Sequence, residues 1–205
     1  MSRYCGPRVR IIRRLGTLPG FTTKVSKRKT TPGDHGKELK SKSRRSTLGD
    51  DYRERLIEKQ KLRYNYGITE KQMVKYMVEA KRRVGSTEIN FLELLELRLD
   101  CIVFRLGFAR TIPEARQLIN HGHIQINNKK ITIPSFECKI NDEISVTQKE
   151  TSKKIISKPV QLQKNTPEHL LVNKAELTGK ILKVPNRANL DLEVNELKVV
   201  EYYSR

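Results

Sequence analysis

Residues 94–133 read LLELRLDCIVFRLGFARTIPEARQLINHGHIQINNKKITI, and this stretch, continued to Val146, decides the fold. Apolar residues at Leu95, Leu99, Ile102 and Leu106 have helical spacing and predict one helix through Leu97-Arg98-Leu99-Asp100. On it Glu93, Glu96 and Asp100 lie on one side, while Arg98 and Arg105, seven apart, share another. A second helix opens at Thr111, with Glu114 three residues on as a capping box and Pro113 tolerated in its first turn. It stops at Gly122. Ala115, Leu118 and Ile119 form its inner face, leaving Arg116, Gln117 and Asn120 outward. Alternation then replaces helical spacing. Ile124 and Ile126 point one way, Asn127-Asn128 turn the chain, and Ile131 and Ile133 return as the partner strand.

Two short helices on a small antiparallel sheet, with Arg, Gln, Asn and Lys on the open side, form a surface suited to phosphates and RNA minor-groove edges. This pattern resembles the RNA-binding domain shared by small-subunit ribosomal protein four, a family of pseudouridine synthases and tyrosyl-tRNA synthetases. The local pattern alone leaves a structural protein and an enzyme both open.

Composition narrows the choice. The chain of 205 residues carries a formal charge of +19 and only 36% hydrophobic residues. Such self-repulsion is relieved by a polyanion, and the two polyanions to weigh are nucleic acid and anionic membrane. No apolar run approaches the ~20 residues of a spanning helix, and the basic segments lack the wide apolar face of an interfacial helix. Nucleic acid is therefore the expected partner. Residues 1–66 hold 19 Lys or Arg against 6 Asp or Glu, a net of +13, so the strongest footprint is N-terminal. Three widely spaced cysteines, Cys5, Cys101 and Cys138, define neither a disulfide framework nor a CxxC knuckle, which suits a reducing compartment. Cys101 and Cys138 read as small buried hydrophobes. The N-terminus shows no signal or transit pattern.

Residues 1–46 mix basic residues with Gly and Pro without sustained period, predicting an extended arm that orders along RNA. A helix capped by Asp50 or Asp51 runs to Tyr66 and ends at Gly67. Thr69 and Gln72 form a capping box for a second helix with Met73, Met77, Ala80 and Val84 as its apolar stripe. Residues 150–165 read as a basic linker or frayed strand, Leu170 to Val172 and Ile181 to Val184 as short strands, and Asn195 to Tyr203 as a terminal helix. The expected fold is α+β: a basic extended arm (1–46) and a helical domain (47–90, completed by 186–205), with an inserted RNA-binding domain (91–185) of two helices on an antiparallel sheet.

Along nearly its whole length the chain resembles bacterial and plastid small-subunit ribosomal protein four. The matching blocks are Ser2-Arg3-Tyr4 with Gly6-Pro7, Pro32-Gly33 with His35-Gly36, Arg55 and Glu58-Lys59-Gln60-Lys61 with Tyr66-Gly67, Glu114-Ala115-Arg116-Gln117-Leu118, and Val200-Glu201-Tyr202-Tyr203-Ser204-Arg205. The run from Ile11 to Gly20 and Thr111-Ile112-Pro113 look plastid-like. The resemblance implies a structural protein, not an enzyme. It would bind the 5′ domain of small-subunit rRNA early, nucleate assembly of the subunit body, sit among small-subunit proteins near the mRNA entry site and touch ribosomal protein five, with an effect on decoding accuracy. It also implies a chloroplast ribosome, with the bacterial cytoplasm as alternative. Some relatives carry an N-terminal zinc knuckle; here only Cys5 and His35 are available, so no metal or other cofactor is expected. The chain departs from the family pattern at Cys5, Cys101, Gly122 and Asn128.

Beside the resemblance, the residues show no Gly-rich phosphate loop, no Cys/His pair at useful spacing and no nucleophile elbow, and so no catalytic set or small-molecule substrate site. The candidate rRNA contacts in the N-terminal part are Arg3, Arg8, Arg10, Arg13, Arg14, Lys27, Arg28, Lys29, Arg44 and Arg45. The first helices add Arg53, Arg55, Lys59, Lys61 and Arg63. The module adds Arg98, Arg105, Arg110, Arg116, Gln117, Asn120, His121, His123 and Lys129. Arg116 in particular is expected to face RNA and not an internal acid.

Overall fold

The computed structural model describes residues 4–28, 30–33, 47–162, 166–185, 187 and 192–204. In chain order the elements are α1 (Arg8–Leu15), α2 (Thr47–Tyr66), α3 (Glu70–Arg82), α4 (Thr87–Glu96), α5 (Leu99–Arg105), α6 (Ile112–Asn120), β1 (Ile124–Ile126), β2 (Lys129–Lys130), β3 (Glu143–Val146), α7 (Glu150–Leu162), β4 (Leu170–Asn173), β5 (Thr178–Ile181) and α8 (Glu196–Tyr202). The strands form one antiparallel sheet in the order β2-β1-β3-β5-β4. The fold is α+β.

Two apolar clusters hold it together. The helical cluster joins Leu62, Tyr66, Met73, Met77, Phe91 and Leu95 to Leu15, Leu18 and Phe21 from the N-terminal segment and to Leu192, Val194 and Val199 from the C-terminal one. Thus α8 lies on the helical part although the sheet intervenes in sequence. The other cluster places Leu99 and Val103 of α5, Leu106 just after it, and Ala115 and Ile119 of α6 against Ile124, Ile126, Ile144, Val146 and Ile181 of the sheet. Ile112 reaches the first cluster and Ile119 the second, so α6 spans both.

Local signals account for several boundaries. Thr69 accepts from the Gln72 amide while the Gln72 side chain accepts from the Thr69 amide, the reciprocal cap of α3. Asn127 and Asn128, with φ of 48° and 64°, form the two-residue turn between β1 and β2, which needs left-handed backbone at both positions. Asn tolerates that conformation.

Other expectations are corrected. The single helix through Leu97–Leu106 is two, because Arg98 is extended (ψ 140°) and bridges Glu137. The Leu99 and Asp100 amides at the start of α5 donate to the Phe136 and Pro134 carbonyls, replacing the turn that the break removes. The strand after the Asn turn ends at Lys130, leaving Ile133 exposed, and β1 instead finds its second partner in β3. Val84 is fully exposed beyond the end of α3. The 150–165 segment contains a helix with Ser152 and Ile156, four apart, turned inward. Within the N-terminal segment, α1 is helical and buries Ile12 and Leu15. Ile11, Ile12 and Leu15 share one face at helical spacing, but a segment of eight residues is too short to form a helix without the α2 surface that its apolar side covers.

Candidate nucleic-acid interface

The structure sorts the basic residues into two groups by what surrounds them. One group is internal. Asp100, wholly buried, receives two hydrogen bonds from Arg98, Nε to Oδ1 at 3.0 Å and Nη2 to Oδ2 at 2.9 Å, and a third from Arg116 Nε at 2.7 Å. Arg98 also reaches the Tyr76 hydroxyl at 2.6 Å. Arg116 continues to the end of α2, donating to the carbonyls of Gly67 at 2.5 Å and Tyr66 at 2.7 Å. Those carbonyls are free to accept because α2 ends at Gly67 with φ +59°, and a Cβ there would stand 3.0 Å from Arg116 Nη1. Alongside, Arg105 grips Glu96 through two nitrogens at 2.9 and 3.1 Å, and the Tyr66 hydroxyl donates to Glu96 at 2.5 Å.

These contacts correct three of the expected RNA contacts. Arg98 is 1% exposed and Arg105 5%, so neither presents an outer face, and Arg116 is paired with Asp100 in the first helix pair. Burial disfavours both buried guanidinium charges, but Asp100 and Glu96 outweigh it and hold Arg98 and Arg105 above the ordinary arginine range. Burial and Glu96 likewise push the Tyr66 phenol well up, so it stays a donor. Lys59 is also internal, 2.7 Å from Glu70 and with its ammonium over the Tyr202 ring at 4.5 Å. An uncompensated buried charge is strongly destabilising, and a seven-residue spacing cannot reveal a partner on another element.

Other cations are half-committed. Arg55 pairs with Glu201 and Lys61 with Glu58, both at 2.7 Å. Arg13 ties the following loop to α1 by donating to the Thr30 carbonyl at 3.0 Å. Arg8 and Arg63 lie over the Phe21 and Tyr64 rings at 5.6 and 5.7 Å.

The second group is exposed on well-anchored elements. Arg10 and Arg14 project from α1, with Lys27 and Arg28 on the loop beyond it and Arg53 on α2. Arg110 stands before α6, where its amide donates to Glu114 at 2.7 Å. Gln117, Asn120 and His121 share one outer face of α6 and its end, and Lys129 lies on β2. Arg3, Lys29, Arg44 and Arg45 lie outside the described residues. Sequence reading missed Lys130, whose side chain crosses Gly122 beside His121 and His123, and Lys149, which acts on His123 through space. The register Gln125↔Lys130 placed Lys130 on the same strand pair as the histidine turn, a signal that strand pairing carries.

Cys101 and Cys138 are buried, and burial raises both thiols. Among the described residues there is no group of three His, Cys, Asp or Glu able to hold a metal ion. None of the helices among those residues is long and apolar enough to cross a membrane.

Comparison with known proteins follows the same division of the chain. The family model of the S4 domain matches residues 97–144, and that of the ribosomal protein S4/S9 N-terminal domain matches residues 3–96. Small ribosomal subunit protein uS4c of Oltmannsiellopsis viridis is 53% identical over 206 residues, covering all of both chains. That of Prototheca wickerhamii is 53% identical over 207 residues, covering 100% of this chain and 99% of the relative. Small ribosomal subunit protein uS4 of Synechococcus sp. (strain JA-2-3B'a(2-13)) is 50% identical over 208 residues with the same coverage.

Proposed function

The chain belongs to the small ribosomal subunit protein uS4 family, and from that premise we propose that it holds small-subunit rRNA through its exposed cations. It is a structural constituent of the small ribosomal subunit and not an enzyme. The observation that carries the RNA reading is the sorting of charge. Arg98, Arg105 and Arg116 use the buried carboxylates to join the helical part to the module. Arg10, Arg14, Lys27, Arg28, Arg53, Arg110 and Lys129 remain at the surface of that joined frame. A frame of fixed helices bearing cations neutralises phosphates of RNA helices that would otherwise repel, and sets the angle between them.

The RNA is the 5′ domain of small-subunit rRNA, bound early so that the body of the subunit assembles around it. The neighbours are ribosomal protein five and other small-subunit proteins near the mRNA entry site, through which the chain contributes to translational accuracy. The ribosome is of plastid or bacterial type, and relatives named uS4c at 53% identity favour the chloroplast over the bacterial cytoplasm. The working units are the arm (1–46), the helical domain (47–90 with 186–205) and the module (91–185).

The test is a salt titration of binding to a 5′-domain transcript. Arg10→Ala, Arg14→Ala and Arg110→Ala should each weaken binding and reduce the slope of log K against log salt by ~0.7 to 0.9 per lost phosphate contact. Slopes equal to wild type in all three variants would overturn the reading.

A further inference from the structure

Four basic side chains gather at the turn that follows α6. His121 and His123 flank Gly122, with ring centroids 6.0 Å apart. Lys130 arrives from β2, and its chain passes so near Gly122 that a Cβ there would stand 1.9 Å from its Cε and 2.6 Å from its Nζ. Gly122 also has φ +72°, a left-handed backbone that glycine adopts without the strain a side chain would bring. Lys149 comes from the segment leading into α7. The turn is clamped from β3 by Thr147, whose Oγ1 donates to the Gly122 carbonyl at 3.2 Å and whose amide donates to the His123 carbonyl at 2.9 Å.

Cations brought together without an acid repel one another. Among the described residues the groups that lower His123 are, after burial, the largest cause, the His121 imidazole and the Lys130 and Lys149 ammonium groups, and together they hold its imidazole below the usual histidine range. At neutral pH the free protein therefore keeps His123 uncharged. Proton uptake would still leave no buried polar atom unpaired. His123 Nδ1 lies 2.9 Å from the hydroxyl of Ser152, which is 1% exposed. That hydroxyl donates to a neutral Nδ1 and accepts from a protonated one, so the same contact serves both charge states.

We infer that this turn is a proton-linked phosphate site, in which His123 takes a proton from solvent as an RNA phosphate seats among it, His121 and the Lys130 and Lys149 ammonium groups. The inference deepens the rRNA reading and rests on it. The phosphate charge favours the His123 imidazolium, so His123 titrates at higher pH with the phosphate bound than without it. Binding then strengthens as pH falls through the interval between the bound and free values.

The full chain contains four histidines, so its imidazole resonances can be followed singly by NMR. They would be titrated alone, with inorganic phosphate and with the 5′-domain transcript, beside His121→Gln/His123→Gln and, as a separate surface change, Lys130→Gln. The transcript should raise the His123 midpoint by about one pH unit, and wild type should gain about tenfold more affinity between pH 8 and pH 6 than the double variant. Lys130→Gln should raise the His123 midpoint of the free protein. Transcript binding at wild-type affinity with the same pH dependence in the double variant would overturn the inference and leave the rRNA reading standing. Resonances moved by inorganic phosphate but not by the transcript would also overturn it, since the site would then take free phosphate. Absence of transcript binding at every pH would overturn both.

Discussion

Replacing Asp100 by Asn keeps the shape of the side chain and removes the charge on which two arginines depend. Asp100 is 0% exposed, Arg98 1%, and the two share a bidentate pair, while Arg116 adds its own bond at 2.7 Å. An asparagine supplies one acceptor where the carboxylate supplied two, and turns an amide donor toward guanidinium donors. Removing one partner of a buried pair costs about 3–5 kcal/mol, because the remaining charge stays buried without compensation. That is a large share of the roughly 5–15 kcal/mol by which folded domains are stable. Arg116 is less enclosed and keeps the Tyr66 and Gly67 carbonyls, so the greater part of the loss falls on Arg98. Urea unfolding followed by circular dichroism measures the change, and hydrogen exchange locates it. The midpoint should fall by the equivalent of about 3 kcal/mol or more, with protection lost at Tyr66–Ile68 and the first turn of α5. The combined variant Asp100→Leu/Arg98→Met/Arg116→Met should recover much of the loss, since a packed apolar replacement leaves no charge behind. A loss below about 1 kcal/mol for Asp100→Asn, the range of an exposed pair, would refute the reasoning.

Two further predictions concern other parts of the frame. Truncation after Asn195 removes Val199 from the helical core together with the Arg55–Glu201 pair and the Tyr203–Glu70 hydrogen bond, so amide protection of residues 50–84 should fall and translational fidelity drop while the sheet module stays folded; unchanged protection and fidelity would contradict this. His169 is 5% exposed, its Nδ1 has no hydrogen-bond partner among the described residues, and burial lowers its pKa, so its neutral form contributes stability above the ordinary value near 6.5 that is lost as pH falls through it. His169→Leu should therefore lose less melting temperature than wild type between pH 7.5 and pH 5.5, and equal losses would contradict the assignment.

What sequence could show here was whatever depends on neighbours in the chain. The Thr69 and Gln72 cap needs only a three-residue spacing, and the Asn127-Asn128 turn only two residues that tolerate positive φ. The inner face of α6 follows from Ala115, Leu118 and Ile119 in the same way. The α7 helix is obscured in the sequence because its buried residues among those described, Ser152 and Ile156, are one polar and one apolar and stand among lysines. The break at Arg98 depends on the 134–138 segment, some forty residues away, which supplies the carbonyls that start α5 afresh. The site divides similarly. Arg110, Gln117, Asn120 and Lys129 are exposed where the pattern placed them, whereas Arg98, Arg105 and Arg116 look like surface cations until the fold brings Asp100 and Glu96 to them. A helical wheel records direction around one axis, and the partner that consumes a charge lies on another.

The central claim, that this chain is held in the small ribosomal subunit by its exposed cations while the buried arginines only build the frame, is tested most directly by co-sedimentation after a high-salt wash. Tagged wild type, a variant with Arg10, Arg14, Lys27 and Arg28 all changed to Ala, and the triple apolar replacement at Asp100, Arg98 and Arg116 would be compared on reconstituted small subunits. The account predicts that wild type and the apolar-frame variant remain with the subunit and that the surface variant is released at lower salt, as expected when several phosphate contacts are lost together. Retention of the surface variant at every salt concentration that retains wild type, with release of the folded apolar-frame variant, would contradict it.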